Sequence, residues 1–238
     1  MLYYEEMTLQ KPNQAENEPS SYYQRVHRGV KNERIFRILL NNPEGTLTRY
    51  KIAKLAQAQQ IQVGLLLRDF EKSHLVRKTL VTNPKDLLMK WSRLRVKYES
   101  QSYMLNDILS LLKRTELKYA LTTYQAETLV NHYLFPSRID LYIGVNDFDH
   151  WHDLLVKEGA LVGGGNVRLR WYDDHVFYNS FFVNDYRIVS IPQLIVDLIR
   201  EGGVTVQAAT MMIEKYRDLL QLNRSSLHEF VGPFEADR

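Results

Sequence analysis

The chain contains no cysteine. Disulfide frameworks and thiolate metal sites are therefore excluded, and the composition suits a reducing compartment. Long apolar runs are lacking as well, since none approaches the roughly 20 residues that span a bilayer. The N-terminal MLYYEEMTLQ shows no basic stretch followed by an apolar one. A cytoplasmic protein without membrane contact is expected. Repeats and low-complexity tracts are missing too, and with 45% hydrophobic and 25% charged residues the chain reads as globular. Its 238 residues suffice for two small domains.

Several chemistries lack their signatures. No nucleophile-elbow phrase occurs. The histidines of His150-Trp151-His152 are two apart, which on a helix puts their rings on different faces, and His27, His74, His132 and His175 are scattered. No metal site is expected. Gly163-Gly164-Gly165 precedes the strand-like VRLRWYD instead of a helix N-terminus, so it reads as a hairpin or mobile loop and not as a phosphate-binding loop. No cofactor is expected.

What the sequence does have is charge polarity. Between Arg25 and Ser100 there are 17 Lys or Arg against 6 Asp or Glu, and the remainder carries 14 against 22. A segment of +11 is thus joined to one of −8, together the net +3. The first segment suits a polyanion; the second does not.

The basic segment is also the most readable. After a polar arm over residues 1–28, NERIFRILLNNPEG places Ile35, Ile38 and Leu39 at helical spacing and stops at Asn-Pro-Glu-Gly. Thr48 can cap a second helix, RYKIAKLAQ, with Ile52, Leu55 and Ala56 inward and Arg49, Lys51 and Lys54 outward. QQIQVGLLLRDFEKSHLV then gives a third helix with Val63, Leu66, Leu67 and Phe70 as its apolar stripe, followed by a strand-like VRKTLVTNP. Helix, short helix, helix and hairpin is the order of a winged helix-turn-helix over residues 29–98. In that motif the first turn of the third helix can read base edges, here with Gln59, Gln60 and Gln62. Arg49, Lys51, Lys54, Arg68, Arg77 and Lys78 are placed to contact phosphates.

Residues 99–238 mix elements, so the fold class expected is α+β. NPKDLLMKWSRLRVKY reads as a connector helix and SYMLNDILSLLKR as another, with the boundary between the domains near residues 97–102. KYALTT, the helix YQAETLVNHY and RIDLYIGV follow as strand, helix and strand. VRLRWYD and VFYNSFFVN read as alternating strands. A helix opened by Ser190 and Pro192 and a last helix through Leu220 complete the chain.

Minimal nucleotidyltransferases set a Gly-Ser turn after one strand and two carboxylates, one residue apart, on the next. Side chains at i and i+2 share a strand face, which lets both carboxylates hold the metal ions. Here the turn is Thr122-Thr123, and Arg138 stands two residues before Asp140. An arginine there repels a cation, so the expectation is the topology of such a domain without its catalysis. An active transferase using Asp140 and a module for protein contacts remain the alternatives.

The order of the basic segment, VTNPKDLLMKWSRL, YALTTYQAETL, SRIDLYI and VSIPQLIVDLIREGG resembles the antitoxin-type transcriptional regulators of AbiE abortive-infection systems, over roughly residues 30–218. The Leu-Thr-Gly usual in that family's second domain stands here as Leu121-Thr122-Thr123. The resemblance implies a repressor that binds double-stranded DNA at its own promoter. It also implies a nucleotidyltransferase toxin as functional partner, with the second domain needed to antagonise it, and it is compatible with a homodimer.

Overall fold

A computed structural model describes residues 21–216, with side chains from residue 29. Most of the expected N-terminal arm and Leu220 lie outside the described residues. The chain is a mixed α/β protein. Helix α1 (Ser21–Leu40) begins inside the segment expected as an arm, so residues 21–28 form its first two turns. From Ile35 to Leu40 every side chain is buried, which makes α1 a central helix and not an amphipathic one. Helix α2 (Arg49–Ala56) starts at Thr48, whose hydroxyl accepts the Lys51 amide at 3.2 Å. Helix α3 (Gln60–Lys72) follows. The antiparallel hairpin of β1 (Val76–Arg77) and β2 (Leu80–Val81) comes next, and Glu44 forms an isolated bridge to Leu80.

Helix α4 (Pro84–Ser92) is shorter than the connector expected from the sequence. Its end is set from a distance: the Arg200 guanidinium donates to the carbonyls of Trp91, Ser92 and Leu94 at 3.1–3.2 Å, satisfying groups that a helix end leaves open. The next expected helix is also corrected, because residues 99–104 form strand β3 (Glu99–Met104) and only α5 (Ile108–Arg114) is helical. Asp107 caps α5 by accepting the Ser110 amide at 3.1 Å. Strand pairing on both sides of β3 outweighs the helical spacing of its apolar residues.

The remaining elements are β4 (Tyr119–Thr122), α6 (Thr123–Val130), β5 (Ile139–Ile143), α7 (Phe148–Lys157), β6 (Leu161–Val162) and β7 (Val167–Trp171), then β8 (Phe181–Val183), β9 (Tyr186–Ile188), α8 (Ile191–Glu201) and α9 (Val204–Lys215). Asp174–Phe177 is a 3-10 turn, so the second alternating strand is shorter than VFYNSFFVN suggested. The seven-stranded sheet runs β6-β3-β7-β5-β4-β9-β8, with β5–β7 and β4–β9 parallel and its other pairs antiparallel. Leu121, Leu141 and Leu169 lie on one face, where Trp151 of α7 meets Tyr119 edge-on at 6.2 Å. Thr122, Asp140, Tyr142, Arg168 and Arg170 lie on the other, against α8. Buried apolar side chains form one cluster across both halves, so the boundary near 97–102 marks a change of topology and not a gap in the core. No helix among the described residues is long and apolar enough to cross a membrane.

The three glycines join β6 to β7, which are not neighbours: β3 lies between them. The connection therefore crosses the end of β3 closely, and a Cβ on Gly165 would fall 2.2 Å from the Tyr103 carbonyl oxygen, whereas one on Gly164 would meet nothing within 4 Å. Gly165→Ala is expected to destabilise by about 1–3 kcal/mol or more through backbone overpacking, while Gly164→Ala stays near wild type. Thermal or urea unfolding of the two variants checks the contrast.

Candidate functional site

Two regions gather the charged and polar side chains that matter here. The first is the outer side of α2, α3 and the β1–β2 hairpin. Arg49, Lys51, Lys54, Arg68, Arg77 and Lys78 are all exposed there, as are Gln59 and Gln60. Lys78 takes the left-handed conformation the turn needs, at φ 59, and its amide is held by Glu71 Oε1 at 2.7 Å. Gln62 differs from its neighbours: its amide donates to Asn32 Oδ1 at 2.9 Å, which ties it to α1 and away from the outer side. The outward positions of α3 instead include Ile61 and Leu65, 74% and 51% exposed, with Tyr50 of α2 also exposed. Their spacing of four residues, offset from the stripe of Val63, Leu67 and Phe70, was the signal for a second apolar strip.

The second region surrounds Asp140, which is fully buried on β5. Both of its oxygens are engaged. Oδ1 accepts from Arg138 Nε at 2.7 Å and Arg168 Nε at 2.9 Å. Oδ2 accepts from Thr123 Oγ1 at 2.5 Å, Arg168 Nη2 at 2.9 Å and Arg170 Nη2 at 3.0 Å. The parallel register sets Arg168 directly beside Asp140, and Arg170 follows on the same face. Glu201, the last residue of α8, receives Nη2 of Arg138, Arg168 and Arg170 at 2.5, 2.6 and 2.9 Å. The hydrogen bond that Arg138 donates to Asp140 holds its guanidinium well above the ordinary pKa. Three arginines here pair directly with two carboxylates, and the Asp197 carboxyl lies in the field of Arg170 as well. The alternation of VRLRW signalled that Arg168 and Arg170 share a face, but nothing local pointed to Glu201.

From this cluster a buried polar web leads back to α1. Asp197 of α8 accepts from Thr122 Oγ1 at 2.7 Å, Gln193 Nε2 at 2.8 Å and Tyr142 OH at 3.2 Å. Burial pushes its carboxyl above the usual range, with Arg170 and Thr122 pulling the other way. Gln193 accepts from Arg37 Nε at 2.8 Å. Glu33, fully buried, accepts from Trp91 Nε1 at 3.0 Å, Arg200 Nη2 at 2.6 Å and Tyr172 OH at 2.7 Å. Nothing in the sequence marked Glu33, Arg37 or Arg200, because the partners lie far along the chain.

No family model, curated protein or solved structure matches this chain.

Two outcomes follow from the web. Glu33→Ala removes the carboxylate partner of Arg200 and leaves the buried Trp91 indole without its acceptor, and is expected to cost about 3–5 kcal/mol, read by urea unfolding. The second concerns His175, whose Nδ1 lies 3.0 Å from Arg37 Nη1. Burial first, then the Arg37 charge, lowers its pKa to about 4. The unfolded chain, near the ordinary value of about 6.5, therefore binds more protons between these limits. Stability is full above that window and falls as pH drops toward 4, by at most about 1.4 kcal/mol per pH unit. His175→Gln should flatten this part of the profile of unfolding free energy against pH.

Proposed function

We propose that the chain is a DNA-binding transcriptional regulator of the antitoxin-like, self-repressing kind, whose sheet-bearing part regulates instead of catalysing. The observation that carries the reading is the set of six cations standing exposed on α2, α3 and the hairpin. The order α1–α2–α3–hairpin supports a winged helix, as does the bridge from Glu44 to Leu80, which adds a third extended segment beside the hairpin. Base reading falls to Gln60 and to apolar contact by Ile61 or Leu65 with thymine methyl groups, while Gln62 positions α3 on α1. A nucleotidyltransferase-like second half without transfer belongs to the same reading, supported by the order of β4, α6 and β5, by β7 lying beside β5, and by the pairing of Arg168 and Arg170 with Asp140. Magnesium-dependent nucleotide transfer that disappears in Asp140→Ala would overturn that part. A functional partner such as a nucleotidyltransferase toxin belongs to the same reading.

The exposed Tyr50, Ile61 and Leu65 favour a second use of the same surface, contact with a protein. Binding to the duplex upstream of the gene separates the two. If about five cations meet phosphates, log affinity falls against log salt with a slope of about −4 to −5. Gln60→Ala is expected to cost about 1–3 kcal/mol on the preferred duplex and little on a scrambled one. The double variant Arg77→Ala, Lys78→Ala should weaken both duplexes alike and make the slope shallower. No shift of either duplex at low salt leaves the protein-contact use standing.

A further inference from the structure

We infer that Arg138, Arg168 and Arg170 form a binding site for a phosphate group, and that Glu201 is a resident carboxylate such a ligand displaces. Asp140 is the fixed floor of the site: its side chain has no exposure, and Thr123 also holds it. Glu201 is the removable part. Its side chain is 15% exposed, and each arginine reaches it through Nη2 alone. Arg168 and Arg170 share its Oε2 while Arg138 takes Oε1. Three guanidinium groups thus converge on two oxygens, and a tetrahedral phosphate would offer one to each.

Arg170 supplies an independent sign. It is 2% exposed, and its Nε has no hydrogen-bond partner. Nε–H lies on the same edge of the guanidinium as Nη2, the atom that meets Asp140 and Glu201. An additional acceptor oxygen beside Glu201 would satisfy a donor that is costly to bury unpaired. Arg138 and Arg168, with side chains 27% and 18% exposed, open the cluster to solvent.

Glu201 is also placed against the local electrostatics. A carboxylate at a helix C-terminus opposes the helix dipole, so the arginines alone keep it there. Gly202 and Gly203 follow at φ 81 and 62, and a Cβ on either would meet nothing within 4 Å. The end of α8 therefore has the backbone freedom to release its last side chain. Tyr124 and Tyr98 flank the site, over Arg138 at 5.5 Å and Arg170 at 5.3 Å, and offer faces on which a nucleobase could stack.

The test is calorimetric titration of the full chain with inorganic phosphate, pyrophosphate and ATP, each without magnesium. Measurable binding is expected for the wild type, at least fivefold tighter binding for Glu201→Gln, and at least tenfold weaker binding for Arg138→Ala and for Arg168→Ala. Arg138 is the most exposed of the three arginines, so its variant keeps the fold, checked by circular dichroism. The double variant Arg77→Ala, Lys78→Ala, which removes cations of the proposed DNA surface, should leave pyrophosphate affinity unchanged. This separates the present site from that surface. ATP binding tighter than pyrophosphate assigns a nucleotide, and equal affinities assign the phosphate groups alone. Glu201→Gln binding no tighter than wild type, or Arg138→Ala binding as well as wild type, overturns the inference.

Discussion

Glu33 is a carboxylate on a central helix with no exposed surface, and it is held in place by groups from three other parts of the chain: the Trp91 indole of α4, Arg200 of α8, and Tyr172 just after β7. Taking such a charge from water costs several kcal/mol unless its lone pairs are met in good geometry. The three helices and the sheet must therefore arrive together for the core to close. An apolar residue there could pack in several ways, whereas these hydrogen bonds are satisfied by one. Arg37, a turn later and equally buried, adds Gln193, Tyr172 and His175 to the same set. The basic half and the sheet half are therefore fixed to each other by polar contacts inside a continuous apolar core.

Helix α8 is where these constraints meet. Eight successive residues from Ile191 to Leu198 are buried, so it packs on every side. Gln193 links it to Arg37, and Asp197 to Thr122 and Tyr142. Its last two residues point to different places: Arg200 closes the C-terminus of α4, and Glu201 sits among Arg138, just before β5, and the two arginines of β7. The charge state around Asp140 and the seating of α4 thus depend on one turn of one helix. This is a structural connection between the basic half and the anion cluster, carried by neighbouring residues.

Much of this was legible locally. The helices α1 to α3 follow from apolar spacing, from the Asn-Pro-Glu-Gly stop and from the Thr48 cap, and β4–α6–β5 from two short apolar runs around a polar helix. The failures share a physical cause. Residues 99–104 have no strong preference of their own, and β6 and β7 make them a strand. Gln62 looked like its exposed neighbours, yet the orientation of α3 on α1 turns it toward Asn32. The arginine cluster gathers residues 138, 168, 170 and 201; the spacing of Arg138 and Asp140 and the pleat of VRLRW hinted at its arginines, and nothing hinted at Glu201. Composition showed the charges; tertiary structure decided which became buried pairs.

Thr123 shows how a carboxylate is held at Asp140 among three arginines. It stands at the turn between β4 and α6 with φ 49, a conformation that costs a β-branched residue about 1–3 kcal/mol and that glycine adopts freely. The threonine hydroxyl, however, donates to Asp140 Oδ2 at 2.5 Å, a contact glycine cannot make. Asp140 in turn neutralises part of the charge of three arginines that would otherwise repel one another on adjacent strands. Without it the parallel pairing of β5 with β7 would set Arg168 and Arg170 close to Arg138 with only Glu201 between them. The carboxylate is accordingly a structural counter-ion, and the strained turn that feeds it a hydrogen bond is part of the same electrostatic balance.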